Sequence, residues 1–304
     1  MAVMGYNVFA AVLRAMGNSR TPLTAMIIAA LLNVGLDLLF VLGFHWGIAG
    51  AAAATVLAQV VSCLICLFAL RGLPIPPMEK GDWRPSLPLY GQLLKLGAPL
   101  AFQNTIIAVG GMAVQSVVNG FGVLFVAGYT ATNKLYGLLE IAATSFGFSM
   151  ASYTGQNLGA RQYGRIRAGM RAASRMAVAT ALVISALMVL LGRQILMLFI
   201  SGDPAQQEQV LAIAFRFLCI MSAGLFILYL LHVYRSALQG MGNTLVPMAS
   251  GIIEMFMRVG CAVLLPSLVG QDGVFLAEVV AWAGAAVLLI AMYYRTAARW
   301  KSAP

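Results

Sequence analysis

Charge is scarce in this sequence. Only 9% of its 304 residues are Asp, Glu, Lys or Arg, against about 25% in a soluble domain. A water-facing globule is therefore excluded, and most of the surface must face lipid. Histidine is confined to His45 and His232, far apart in the chain, so a histidine metal centre is not expected. The four cysteines include one C-x-x-C, Cys63 and Cys66. It sits in an apolar helical run with no second pair, where cysteine packs as a small hydrophobe. No G-x-x-x-x-G-K-[ST] occurs, which excludes a P-loop ATPase motor in this chain. No bond chemistry and no resident cofactor are implied, so the chain does not read as an enzyme.

What remains is apolar: 61% of residues are hydrophobic and the mean hydropathy is +0.90. A transmembrane helix needs about 20 mostly apolar residues. Eight such spans can be drawn, at 22–44, 47–70, 93–118, 124–149, 170–195, 210–233, 248–268 and 274–294. Residues 1–13 are apolar but too short to cross. They lack the basic start and small-residue cleavage site of a signal peptide, and read as the second half of a helix. The fold class expected is an all-α polytopic membrane protein.

The net charge of +10 would suit nucleic acid, but its placement does not. Lys and Arg gather between apolar runs rather than along one face. Arg14 and Arg20 precede the first span; Arg71, Lys80, Arg84 and Lys95 follow the second; Arg161, Arg165, Arg167, Arg171 and Arg175 follow the fourth. Arg235 is read as the basic residue of the next such turn, and Arg295, Arg299 and Lys301 close the chain. The turns between carry none. By the positive-inside rule the basic turns and the C-terminus are cytoplasmic, in a plasma membrane. Only Lys134, Arg193, Arg216 and Arg258 fall outside the pattern. The arginine run after Gly155-Gln156-Asn157-Leu158-Gly159-Ala160 is better explained by topology and anionic lipid than by phosphate binding.

An internal repeat adds organisation. Leu13-Arg14-Ala15-Met16-Gly17-Asn18-Ser19 matches Leu238-Gln239-Gly240-Met241-Gly242-Asn243-Thr244 at an offset of 225. Pro22 and Pro247 follow at equal distance, and Val34-Gly35 matches Val259-Gly260. Two like-oriented halves with the substrate path between them are a transporter architecture. The second half begins near Leu93, so the repeat implies that about 130 residues, holding three and a half helices, precede Met1 in the intact first half. The domains expected are residues 1–74 (the remnant of the first lobe), a proline-rich linker 75–91, and a six-helix second lobe 92–304.

Ionisable groups inside a membrane are functional candidates by default. Asp37 lies mid-span, with Asn33 one turn earlier on the same face. Thr55, on the next helix, can approach them. A carboxylate, an amide oxygen and a hydroxyl suit a hard cation or a proton; the alternative is an aspartate that fixes helix packing. Glu140 is mid-span in the second lobe, suited to a cationic solute or a proton. Gln103 and Asn104 can hydrogen-bond a substrate or glue helices together. Glu254 and Arg258, at i and i+4, read as a structural ion pair. Glu278 reads as a snorkelling or rim residue near the outer end of the last helix.

These stretches resemble the multidrug and toxic compound extrusion (MATE) family. The likeness is carried by Asn7-Val8-Phe9, Gly17-Asn18-Ser19-Arg20-Thr21-Pro22, Leu32-Asn33-Val34-Gly35-Leu36-Asp37, Gly47-Ile48-Ala49-Gly50, Leu96-Gly97-Ala98-Pro99, residues 129–140 and 154–160. The resemblance implies a two-lobe bundle of twelve helices, of which half a helix plus eight are in this chain. It implies exchange of H⁺ or Na⁺ for organic cations or other amphiphiles by alternating access, by a monomer in contact with membrane lipids. In some members an Asn-x-x-x-Asp with a Thr on the next helix forms the first-lobe cation network; Asn33, Asp37 and Thr55 match it by spacing. A lipid-linked oligosaccharide flippase of related architecture and a non-transporting remnant are the alternative readings.

Overall fold

The structure is a computed structural model; it describes residues 1–72, 86–200 and 203–300. Its elements are α1 (Ala2–Ala15), α2 (Arg20–Asp37) continued by a π-helical turn (Leu38–Gly43), α3 (Gly47–Arg71), α4 (Leu87–Asn119) and α5 (Val123–Gly159). Then follow α6 (Tyr163–Met197), α7 (Pro204–Gly240), α8 (Leu245–Leu264), the single turn α9 (Pro266–Val269) and α10 (Asp272–Arg299). No strand occurs among the described residues. The chain divides into two compact units, Met1–Pro85 and Ser86–Pro304. Most of the expected linker, 75–85, lies outside the described residues, as do Lys80, Arg84 and Lys301. Residues 87–91, expected in that linker, form the first turns of α4, because Pro88 at its start suits a helix N-terminus.

The burial pattern is that of a membrane protein. Leu31, Leu42, Leu190 and Val287 are each at least 65% exposed, while the interior combines large apolar side chains such as Trp282, Tyr229 and Phe217 with buried polar ones such as Gln103, Thr132 and Glu254. Seven helices are long and apolar enough to cross a membrane among the described residues. The expected span 124–149 lies within α5, which is 37 residues long but not among those seven. Its polar and charged side chains, Asn133, Lys134, Glu140 and Thr144 among them, lower its hydropathy.

In the first unit α3 presents Gly50, Ala54, Ala58, Ser62 and Cys66, all buried and four residues apart. This small-residue ridge lets helix backbones approach closely. Cys66 packs with Tyr6, Ala10, Leu13 and Ala25, and the Tyr6 hydroxyl donates to the Pro22 carbonyl at 3.3 Å.

In the second unit α7 is the central helix, packed by α5, α6 and α10. The α5–α7 contact depends on glycine. A Cβ on Gly147 would lie 2.6 Å from Ser236 Oγ, and one on Gly240 would overlap the Ala151 carbonyl and the Thr154 hydroxyl. Hydroxyls then bridge the closed gap: Thr132 donates to Ala214 O at 2.8 Å and Thr154 to Ala237 O at 3.2 Å. Phe125, Tyr129, Phe217 and Phe275 stack at one end of this core.

The repeat is visible in the backbone. Gly17 and Gly242 have φ of 87° and 79°, a left-handed conformation that glycine adopts freely. Asn18 N–H donates to Leu13 O and Asn243 N–H to Leu238 O, at 2.9 and 3.0 Å. These are matching Schellman terminations. Each asparagine then accepts a bond from the next helix through its side-chain oxygen, from Thr21 N–H at 3.1 Å and Val246 N–H at 3.2 Å. The matching Gly-Asn pair thus ends one helix and begins the next in both copies.

Candidate functional site: a charged cavity in the second unit

Helix α5 turns one stripe inward. Tyr129, Asn133, Tyr136, Glu140 and Thr144 recur every three or four residues, which places them on one helical face. Asn104, Ile107, Gly111 and Gln115 do the same on α4. Together with residues of α7, α8 and α10, these two stripes line a cavity of about 480 Å³. Trp282 closes part of its wall and stacks on Tyr136, ring centroids 5.6 Å apart.

Four charged side chains form a chain along this cavity. Arg235 Nη2 lies 2.6 Å from Glu254 Oε2, and Arg258 Nη2 lies 2.7 Å from Glu254 Oε1. Arg258 Nε is 3.1 Å from Glu278 Oε2, a charge contact not aligned as a hydrogen bond. Arg235 also donates to Ser250 Oγ at 3.3 Å. All four side chains are 5–12% exposed. Two guanidiniums and two carboxylates cancel, as burial in a bundle requires. Glu140 stands apart from this chain. Its nearest charge-capable neighbour is His232 Nε2 at 3.7 Å, and its side chain is 40% exposed to the cavity. It is the one cavity carboxylate with no Arg or Lys partner among the described residues. Lys134 does not supply one; it is exposed, and six residues on a helix turn it to another face.

Several sequence expectations change here. Glu254 and Arg258 do pair, but within a four-member chain rather than as a self-contained couple. Glu278 does not snorkel, because it faces α8, where Arg258 supplies its counter-charge. Arg235 is not a loop residue; it is 8% exposed inside α7 and bound to Glu254. The turn 241–244 therefore holds no Lys or Arg, and the basic alternation lapses there. Gln103 and Asn104 part company. Asn104 lines the cavity, whereas Gln103 is 2% exposed and accepts a bond from Gln239 Nε2 at 3.4 Å, wedged against Gly251. Gln103 therefore bonds α7 and packs on α8 rather than lining the cavity.

In the first unit Asn33 and Thr55 line a smaller cavity of about 230 Å³ with Tyr6, Gln59 and Ser62. Asp37 is not on its wall. The Thr55 hydroxyl donates to Ala51 O at 3.0 Å, which leaves its lone pairs available. Asn33 Nδ2 and Asp37 Oδ1 are buried without a hydrogen-bond partner. A buried polar atom without a partner needs an explanation such as a water or an ion. Asp37 is also the last α-helical residue before the π-helical turn, and such turns are frequent at functional sites.

Residues 99–264 match the MatE family model, more than half of the chain. The chain belongs to the MatE family. The matched segment includes α5, α7 and α8, and so four of the five charged residues of the cavity. Among relatives of this MatE chain, the probable multidrug resistance protein YpnP of Bacillus subtilis is 40% identical over 162 residues, 52% of this chain and 35% of that protein. The probable multidrug resistance protein YoeA of the same organism is 25% identical over 83% of this chain and 55% of that protein. The MatE chain thus spans between a third and just over half the length of these relatives. A MOP superfamily transporter from Pyrococcus furiosus shares the fold, with a TM-score of 0.90 at 22% identity, over 97% of this chain and 66% of that one.

Proposed function

We propose that this MatE chain is part of a cation-coupled antiporter that exports small organic cations in exchange for H⁺ or Na⁺. The observation that carries the reading is Glu140. A single uncompensated carboxylate, in a cavity with Tyr129, Tyr136 and Trp282 in its walls, is suited to a cationic amphiphile. The carboxylate supplies the counter-charge, and aromatic faces attract cations. The neutral chain from Arg235 to Glu278 keeps the remaining charge from opposing this. In the first unit Asn33, Asp37 and Thr55 would hold the coupling ion. Cation and substrate then favour opposite-facing states of an alternating-access cycle. The protein works as a monomer in the plasma membrane, surrounded by lipid, without nucleic acid. Its C-terminus is cytoplasmic, a reading supported by Arg167, whose Nη2 donates to Ala297 O at 2.7 Å. That bond gathers the arginines at the start of α6 and the end of α10 on one side.

Everted vesicles energised by a pH or Na⁺ gradient test the division of labour. Asp37→Asn keeps size and hydrogen bonding but removes the titratable charge. It is expected to abolish gradient-driven movement of a cationic dye. If instead Glu140→Gln abolishes cation dependence and Asp37→Asn leaves it intact, coupling resides in the second unit and Asp37 is a packing residue. Movement of lipid-linked glycans in place of dye would favour the flippase reading.

A further inference from the structure

Seven arginines stand together without a carboxylate at one end of the second unit. Arg161, Arg165, Arg167, Arg171 and Arg175 lead into and along the start of α6, and Arg295 and Arg299 close α10. The sequence has no Asp or Glu between 140 and 203 or after 278. Among the described residues none of the seven takes part in an ion pair. A cavity of about 420 Å³ lies between α6, α7 and α10 at this end, and Arg167, Arg171, Tyr234, Tyr293, Tyr294 and Ala297 line it. It shares no lining residue with the charged cavity described above.

The two guanidiniums are held differently. Arg167 is fixed, by its bond to Ala297 O and by the Trp300 ring 5.9 Å from its Cζ. The Arg171 residue is exposed, and its guanidinium has no hydrogen-bond partner among the described residues. The walls are aromatic. Tyr234 and Tyr293 meet edge to face at 5.3 Å, and Tyr294, 57% exposed, opens the cavity to the outside of the bundle. Depth follows from length. Helix α6 has 35 residues, which at 1.5 Å each exceeds a hydrocarbon core of about 30 Å by some twenty ångströms. Its arginine-bearing first turns therefore sit at headgroup level, where tyrosines also concentrate.

We propose that this cavity binds the phosphate of an anionic phospholipid. Guanidinium forks match phosphate oxygens, and tyrosine hydroxyls add donors at the rim. The aromatic walls and the lateral opening beside Tyr294 suit the glycerol and upper acyl chain better than a free, fully hydrated phosphate. Basic pockets between membrane helices are recognised lipid sites on physical grounds. The inference is independent of what the charged cavity transports.

Native mass spectrometry of the purified chain tests it, after exchange into phosphatidylcholine with or without phosphatidylglycerol, and with inorganic phosphate as a separate probe. The wild-type chain should retain phosphatidylglycerol in preference to phosphatidylcholine. Arg171→Gln removes a side chain with no internal bond, so folding should be kept, and lipid retention should weaken about fivefold. Arg299→Gln makes the same charge change outside the cavity and should alter retention by less than about twofold. Arg171→Gln behaving as wild type would overturn the proposal, as would an equal loss in Arg299→Gln, which would indicate diffuse surface charge. Displacement of the lipid by inorganic phosphate at comparable concentration would assign the cavity to free phosphate and overturn the lipid assignment.

Discussion

Glu254→Gln is the perturbation that most directly probes the charge chain in the second unit. Glu254 bridges two guanidiniums, at 2.6 Å from Arg235 and 2.7 Å from Arg258, with all three side chains no more than 12% exposed. Wild type is neutral across Arg235, Glu254, Arg258 and Glu278. Gln at 254 leaves a surplus positive charge, held by two buried arginines and Glu278. Removing one partner of a buried pair costs about 3–5 kcal/mol, because the other charge stays desolvated. In a chain of this size that corresponds to a fall of roughly 10 °C in apparent Tm. Arg235→Gln alone should also destabilise, by leaving a surplus negative charge. The double variant is neutral again, with Arg258 and Glu278 still in contact. It should be more stable than either single variant, and the excess over additivity measures the coupling. Thermal unfolding of the purified chain in one detergent, at one scan rate, is the assay. A shift of less than about 2 °C for Glu254→Gln, or a double variant less stable than both singles, would refute the account of a mutually neutralising chain.

Other predictions concern backbone geometry. Gly240→Ala should destabilise by about 1–3 kcal/mol, because the new Cβ meets a backbone carbonyl that cannot rotate away; unchanged thermal stability would contradict the close α5–α7 approach. Arg161 has φ of 54° in the turn before α6, where Gln162 N–H bonds Asn157 O at 2.8 Å. This is the Schellman geometry of the two repeat copies with arginine in the glycine position, so Arg161→Gly should be neutral or stabilising by up to about 1 kcal/mol. A fall in Tm would show that the Arg161 side chain makes up for the strain.

Much of this fold was legible because membranes impose simple rules. Helix spans follow from apolar length, and the repeat followed from a Gly-Asn turn whose backbone demands a left-handed residue at 17 and at 242. Helical spacing puts Asn33 on one face with Asp37, and Thr55 on the next helix can approach them; Asn33 and Thr55 share a cavity, whereas Asp37 is not on its wall. The second-unit site was legible only in part. Glu140 stands out in the sequence as a lone mid-span acid, but Arg235 reads as a loop charge because helix α7 runs seven residues beyond its apolar stretch. Glu278 reads as a rim residue for a related reason, since depth along α10 does not reveal which face meets Arg258. His232 is isolated in the sequence, yet folding brings it to Glu140. The stripe from Tyr129 to Thr144 was present at helical spacing and would have marked the cavity wall. Gln103 and its neighbour Asn104 differ by one residue, about 100° of rotation, and only the packing of Gly251 decides which of them faces the cavity.

The central claim is that Glu140 is the counter-charge for an organic cation in the second-unit cavity, and equilibrium binding tests it most directly. A fluorescent quaternary ammonium dye titrated into the purified chain measures Kd without a gradient. The account predicts that Glu140→Gln weakens binding at least about tenfold, since an opposite charge near 4 Å contributes about 4 kcal/mol at the effective dielectric of such sites. Asp37→Asn should leave Kd unchanged. Equal dye affinity in wild type and Glu140→Gln, in protein of matched stability, would contradict the claim.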